Sequence, residues 1–393
     1  MMTTTQNRLL PMIPDLGRNG LLSITADKLD MPEHLKLLAH ARYEEVANWL
    51  CCEDSSLAPY SPKVYSQGSF RLGTIIRPIS DADEFDIDLV CRLTFSKEQI
   101  TQEKLKALIG ARLREKYARY LKESRRCWTL EFQGFHIDIL PAIPNAEAEP
   151  NGILITDTEL YRWQFSNPID YSEWFKQCQI VQFELERQVM AKAYKSDVEA
   201  IPESSVKTPL QRGVQLLKRH RDIYFENDPE DQPISIIITT LAAKSYDNDG
   251  DLVSTMSKLV SDMNNHIEVR DGVAWVANPT DDKENFADKW QQYPQRRIKF
   301  AEWLQQVEQD IAVFAKGTGI QSLGAQLEKG FGKRVVQEAL KGFGNAAQTT
   351  RQQGQLLMTP NSGNLQIATT LSATSAAQAA LVRIPRHQFH GDD

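Results

Sequence analysis

Two aspartates, Asp86 and Asp88, sit two residues apart in the run Glu84-Phe-Asp-Ile-Asp-Leu-Val90. Read as a strand, the run sends Phe85, Ile87 and Leu89 to one face and both carboxylates to the other. Like charges that close push their pKa values apart unless a cation lies between them. A few hard oxygen ligands, with room left for a substrate phosphate, suit Mg²⁺, with Mn²⁺ as a substitute. Just upstream, Gln67-Gly-Ser69 offers a glycine and a serine hydroxyl in a turn, a shape that cradles phosphate. A third carboxylate, Asp138, shares a strand face with His136, while Ile137 and Ile139 point the other way. Three carboxylates on two adjacent strands can hold two metal ions, which serves metal-assisted phosphoryl or nucleotidyl transfer. His136 reads as a support for these carboxylates rather than as a ligand.

The elements that must position these residues follow from pattern. Pro32 opens a helix to about Cys52, with Leu35, Leu38, Tyr43, Val46 and Leu50 near helical period. Residues 63–67 read as a short strand leading into the Gly-Ser turn. Ser96, with Gln99 three residues on, has the form of a capping box and predicts a helix to about Lys122. Cys127–Phe132 and Phe135–Leu140 read as a hairpin about Gln133-Gly134. Residues 141–175 carry Pro141, Pro144, Pro150 and Pro168 and read as irregular chain crossing between lobes, with Glu173–Ala193 helical. From Pro209 the pattern predicts helices only, with Ala277–Asn285 a polar loop between them. Pro209–Tyr224 bears the cluster Arg212, Lys218, Arg219, His220 and Arg221, which suits either a solvated face or neutralisation of a polyphosphate. Lys218 and Ser235, at the start of a buried helix Ser235–Tyr246, are the suppliers this second reading selects. The domain plan is an extended lead-in over 1–30, a core lobe over 31–200, a helical lobe over 201–344 and a flexible tail over 345–393.

Bulk properties limit the alternatives. The chain has 393 residues, 41% hydrophobic and 25% charged, with a net charge of −7. That is enough chain for two lobes, and the acidic balance argues against an extended nucleic-acid track or an anionic membrane surface. Five cysteines without a CxxC spacing argue against a disulfide framework or a cysteine-based zinc site, which fits a cytoplasmic protein. No run has the length of a membrane span.

The combined motifs carry a resemblance. Gln67-Gly-Ser-Phe-Arg-Leu-Gly-Thr-Ile-Ile-Arg-Pro78, Glu84–Val90, His136-Ile-Asp-Ile-Leu-Pro-Ala-Ile-Pro144, Phe165-Ser-Asn-Pro168, Leu216-Leu-Lys-Arg219 and Pro233–Ala243 resemble the bacterial oligonucleotide cyclases, the CD-NTases. These belong to the DNA polymerase β-like nucleotidyltransferases and are relatives of cyclic GMP-AMP synthase and oligoadenylate synthase. The resemblance covers about residues 30–310. It implies an α+β fold: a mixed sheet with helices, a long N-terminal spine helix, and a helical lobe closing the cleft. It implies that nucleoside triphosphates, ATP among them, are joined into a cyclic di- or trinucleotide with release of pyrophosphate, in bacterial anti-phage signalling. It also implies roles. Asp86, Asp88 and Asp138 are the catalytic carboxylates and hold two Mg²⁺; Gln67, Gly68, Ser69, Lys218 and Ser235 bind the triphosphate substrate. A regulatory partner acting on the C-terminal tail is implied by analogy. Two other functions use the same residues: a template-free linear or RNA-tailing nucleotidyltransferase, and a catalytically silent nucleotide-binding module.

Overall fold

The computed structural model describes residues 16–80, 84–157, 163–194, 197–198, 205–358, 365–367 and 382–385. Helix α1 (Arg18–Asp27) comes first, then α2 (Glu33–Cys51), strand β1 (Lys63–Ser66), the five-residue helix α3 (Gly68–Leu72) and β2 (Phe85–Arg92). Helix α4 (Gln102–Tyr117) leads to β3 (Leu121–Glu123), β4 (Trp128–Phe132), β5 (Phe135–Pro144), β6 (Ile153–Ile155) and β7 (Gln164–Ser166). These seven strands form one sheet in the order β1-β2-β5-β4-β3, with β6 pairing β5 and β7. Only β2 and β5 run parallel; the α4 crossover and the β3–β4 hairpin return the chain between them. The sheet's inner face, with Phe85, Ile87, Leu89, Ile137 and Ile139, packs against α2 and α4 through Val46, Leu50, Leu105 and Ile109. That burial fixes the register, since a one-residue slip would put the aspartates in the core.

After the sheet come α5 (Pro168–Cys178), α6 (Ile180–Tyr194), α7 (Pro209–Tyr224), α8 (Ser235–Ser245) and α9 (Leu252–Asp262). Two small hairpins follow, β8 (Glu268–Arg270) with β9 (Val273–Trp275) and β10 (Ala277–Asn278) with β11 (Asp281–Asn285). Then come α10 (Lys289–Gln292), α11 (Pro294–Lys316), α12 (Ile320–Phe331), α13 (Lys333–Gln352) and a three-stranded sheet of β12 (Leu356–Met358), β13 (Leu365–Ile367) and β14 (Val382–Arg383). Thr208 and Gln211 close a capping box at the start of α7, with Pro209 in the first turn. No described helix is long and apolar enough to cross a membrane.

Several expectations change. Residues 18–27 are not an extended lead-in: α1 buries Leu21, Leu22, Ile24 and Ala26 in the helical-lobe core. Gly17 is the N-cap of that helix and Gly20 is buried within it. Pro11 and Pro14 lie outside the described residues. Leu22→Ala is therefore expected to cost about 2–5 kcal/mol, the range for a fully buried leucine, read by denaturant unfolding. A lead-in would lose almost nothing.

The helix expected from Ser96 begins instead at Gln102. Gln99 does accept from the Ser96 amide at 2.8 Å, but Thr101 caps the helix, and the chain turns into β3 because Leu121 pairs with Leu130. The stretch 141–175 is more regular than its prolines suggest, since β5 runs on to Pro144 and Pro168 opens α5. The lobe after Pro209 is not helical throughout, because β8–β11 occupy residues 268–285. The tail is not loose from residue 345: α13 continues to Gln352, with Phe343 and Thr350 buried and Ala346 and Ala347 packed on the core. Alanine-rich sequence is good helix former as well as low-complexity composition. Residues 359–364, 368–381 and 386–393 lie outside the described residues.

Candidate active site

The carboxylates meet because β2 and β5 are parallel neighbours. Asp86 lies across from His136 and Asp88 from Asp138. The side-chain ligand atoms of Asp86, His136 and Asp138 lie within 4.8 Å of one another, a group that could hold a metal ion. His136 thus stands inside the cluster, where its place was read as support only. Its Nε2 is 3.3 Å from Asp86 Oδ1, and its Nδ1 is 3.8 Å from a Glu84 oxygen. The hydrogen bond to Asp86 raises the His136 pKa above its ordinary value, against the opposing effect of burial.

Asp88 is the more strained carboxylate. Burial first, then the charges of Asp86 and Asp138, push its pKa up to about 7. A carboxyl so placed is short of positive charge, and a divalent cation among Asp86, Asp88 and Asp138 would supply it. Carboxylate oxygens suit Mg²⁺, although the described group whose ligand atoms converge is Asp86, Asp138 and a nitrogen of His136. Asp138 is oriented from β4: Thr129 Oγ1 donates to Asp138 Oδ1 at 2.6 Å and lies 3.0 Å from Ser124 Oγ.

The Gly-Ser segment is the first turn of α3 rather than an isolated turn. Gln67 is its N-cap residue, and the Gln67 amide donates to the Asp88 carbonyl at 2.9 Å. Gly68 takes φ +61, and a Cβ there would fall 2.3 Å from Asp88 Oδ2. The Ser69 carbonyl accepts from the Thr74 amide, closing α3 back on itself. So Gly68 and Ser69 lie directly against the acidic strand.

The basic cluster on α7 is not a solvated face. Lys218, Arg219, His220 and Arg221 are all buried. Arg212 pairs with Asp30 at 2.7 Å and also with Asp27, and His220 Nε2 is 3.0 Å from Asp310. Lys218 Nζ donates to the Thr74 carbonyl at 2.9 Å. Burial, then Arg221, pull the Lys218 pKa down to about 8, with Asp88 and Asp86 acting the other way. Lys218 is thus near enough to Asp88 and Asp86 to feel their charge, while its own contact is the Thr74 carbonyl. Ser235 Oγ accepts from Arg221 Nη1 at 2.9 Å, which ties it to α7. The residue that sequence reasoning passed over is Thr129; the hairpin register about Gln133-Gly134 puts it opposite Asp138.

The chain has known relatives. Residues 24–179 match the Second Messenger Oligonucleotide or Dinucleotide Synthetase domain. A c-di-GMP synthase of Roseivirga ehrenbergii is 28% identical over 355 residues, 89% of this chain and 91% of that protein. The cyclic dinucleotide synthase CdnG of Bradyrhizobium diazoefficiens is 23% identical over 348 residues, covering 83% of each chain. The structure of that CdnG in complex with GTP superposes with a TM-score of 0.69, covering 83% of this chain and 99% of that one at 23% identity. An Escherichia coli CdnC:HORMA complex gives a TM-score of 0.60 at 15% identity, covering 80% of this chain and 97% of that one. The fold is the α+β fold of these CdnG and CdnC structures, with a mixed sheet.

Proposed function

We propose that this chain, a nucleotidyltransferase of the bacterial CD-NTase group, joins two nucleoside triphosphates into a cyclic dinucleotide, with GTP as one substrate. The observation that carries the reading is the parallel register of β2 and β5, which sets Asp88 beside Asp138 with Gly68 against Asp88. The names of the relatives, a c-di-GMP synthase and a cyclic dinucleotide synthase, support a two-nucleotide ring and guanosine. They favour GTP over the ATP that the resemblance alone suggested.

In each of two steps a ribose hydroxyl oxygen attacks an α-phosphorus. The bond from that phosphorus to the bridging oxygen breaks, and pyrophosphate leaves with the electron pair. The second attack is intramolecular and closes the ring. Two divalent cations, Mg²⁺ or Mn²⁺, held by Asp86, Asp88 and Asp138, would supply charge opposite the attacking and leaving oxygens. Asp138, whose Oδ1 accepts from Thr129, is the carboxylate we assign to the hydroxyl proton. His136 holds Asp86 in orientation. Gly68 and Ser69, with Gln67 before them, hold the donor triphosphate. Lys218 supplies positive field from the helical lobe, and Ser235 marks the far side of the same cleft. Positioning and preorganised charge account for most of the rate. A role in bacterial antiviral signalling in the cytoplasm, with a regulatory protein acting on the tail, belongs to the same reading.

The test is direct. Purified protein is incubated with single and paired triphosphates and Mg²⁺ or Mn²⁺, then treated with phosphatase. A phosphatase-resistant dinucleotide that requires GTP is expected. Linear ladders, or product only with added RNA, would replace cyclisation by the tailing activity. No product under any pairing would leave a silent binding module.

A further inference from the structure

Helix α3 is partly covered: Phe70 packs on the core beside the sheet, Leu72 on the core of the helices, and Arg71 Nε donates to Ser172 Oγ at 2.7 Å. None of its side chains is buried. Behind it lies a cavity of about 460 Å³ lined by Phe70, Arg71, Leu72 and Gly73 on one side and by Lys207 and Gln211 on another. What fixes the exit of α3 is a row of side-chain donors on the helical lobe. Gln211 Nε2 donates to the Leu72 carbonyl at 2.9 Å and Lys207 Nζ to the Gly73 carbonyl at 2.5 Å. Lys218 Nζ then reaches the Thr74 carbonyl at 2.9 Å, Gln215 Nε2 the Ile75 carbonyl at 2.8 Å, and Arg219 the Arg77 carbonyl. Gln211, Gln215, Lys218 and Arg219 recur at helical spacing, so one stripe of α7 carries the chain from Leu72 to Arg77. The entry of α3 is thus held by β2, through the Gln67 amide on the Asp88 carbonyl, and its exit by α7.

Gln211 is the donor nearest to α3, and its amide is used at both ends. Oε1 accepts from the Thr208 amide at 3.0 Å, completing the capping box, while Nε2 holds Leu72. Gly73, at φ +67, turns the chain directly under this amide. We propose that Gln211 is a positioning residue for triphosphate binding: it sets where α3 presents Gly68 and Ser69 to Asp88, and so couples the helical lobe to affinity for the β- and γ-phosphates. The proposal rests on the reading that Gly68 and Ser69 hold the donor triphosphate.

Gln211→Glu separates the two uses of the side chain. A glutamate keeps the capping-box acceptor. It loses the donor to Leu72 and sets a carboxylate oxygen against that carbonyl. In the full-length protein, the Kd for a non-hydrolysable GTP analogue and the Ki for inorganic pyrophosphate should both rise roughly 5- to 10-fold, the worth of one hydrogen bond. The kcat at saturating GTP should stay within about 3-fold, the split that marks lost ground-state binding. GMP, which lacks the outer phosphates, should bind as to the wild type, and Tm should hold. Lys207→Met, which has no part in the helix cap, should give the same pattern if Gln211→Glu unfolds the protein. Wild-type Kd and Ki in both variants would overturn the proposal, as would an equal loss of GMP binding or a fall in kcat alone. A wild-type protein that neither binds nor converts triphosphates would instead bring down the proposed function, and this inference with it.

Discussion

Asp88→Asn should abolish product, by a factor on the order of 10³ or more, while making the metal-free protein more stable above neutral pH. The two effects have one cause. Asp88 is pushed up to about 7 by burial and by the neighbouring charges of Asp86 and Asp138. Its unfolded value is near 3.8. Between those values the unfolded chain has released this proton and the folded chain still holds it. The folded state binds more protons, so stability falls as pH rises through the window of about 4 to 7, and the penalty is fully present above it. Asparagine has no proton to lose and removes that slope. With a chelator present, wild type and Asp88→Asn should unfold alike near pH 4. Near pH 8 the variant should be more stable by roughly 1–3 kcal/mol. His136 also titrates with its pKa raised in the folded state, and its contribution likewise falls as pH rises. The difference between variant and wild type at each pH reports Asp88 together with its coupling to His136. Retained product, or a variant less stable than wild type at pH 8, would mean that Asp88 is an ordinary strand aspartate held by partners.

The alternation of residues 85–90 and 135–140 made the acidic face legible, because a buried strand must put Ile87 and Ile137 inside and thereby forces Asp88 and Asp138 out. Thr129 was within reach of the same argument. The hairpin about Gln133-Gly134 fixes its register, and counting back from that turn sets Thr129 opposite Asp138. Other features depended on tertiary partners that no local pattern carries. Arg219 and His220 read as a basic surface because their partners, the Arg77 carbonyl and Asp310, are distant in sequence. Helix α1 was missed because its apolar face is short and is completed by α13, α9 and α7, all distant in sequence. The hold of α7 on the exit of α3 was likewise invisible, since it runs through backbone carbonyls, which every residue has.

Gly68→Ala should cost most of the activity and, unlike Asp88→Asn, should also cost stability. Gly68 sits at φ +61, where an L side chain crowds its own carbonyl and costs roughly 1–2 kcal/mol. The added methyl would also meet Asp88, at 2.3 Å from Oδ2 and 3.2 Å from Cγ. Asp88 has little freedom to yield, because Asp86 and Asp138 repel it from either side. Either the carboxylate rotates out of the cluster or α3 lifts from the strand. Both separate the Gly-Ser segment from the carboxylates, and a displacement near 1 Å at a reacting centre costs about 10²-fold in rate. Product formation should thus fall about 10²- to 10³-fold, with a stability loss of roughly 1–3 kcal/mol. Gly272→Ala is the control. Gly272 has φ +78 and nothing within 4 Å of its would-be Cβ, so it carries the backbone cost without the contact. It should lose comparable stability and keep full activity. If Gly68→Ala loses no more activity than Gly272→Ala, the close approach of α3 to Asp88 has no part in the reaction, and the assignment of the Gly-Ser segment to the triphosphate falls.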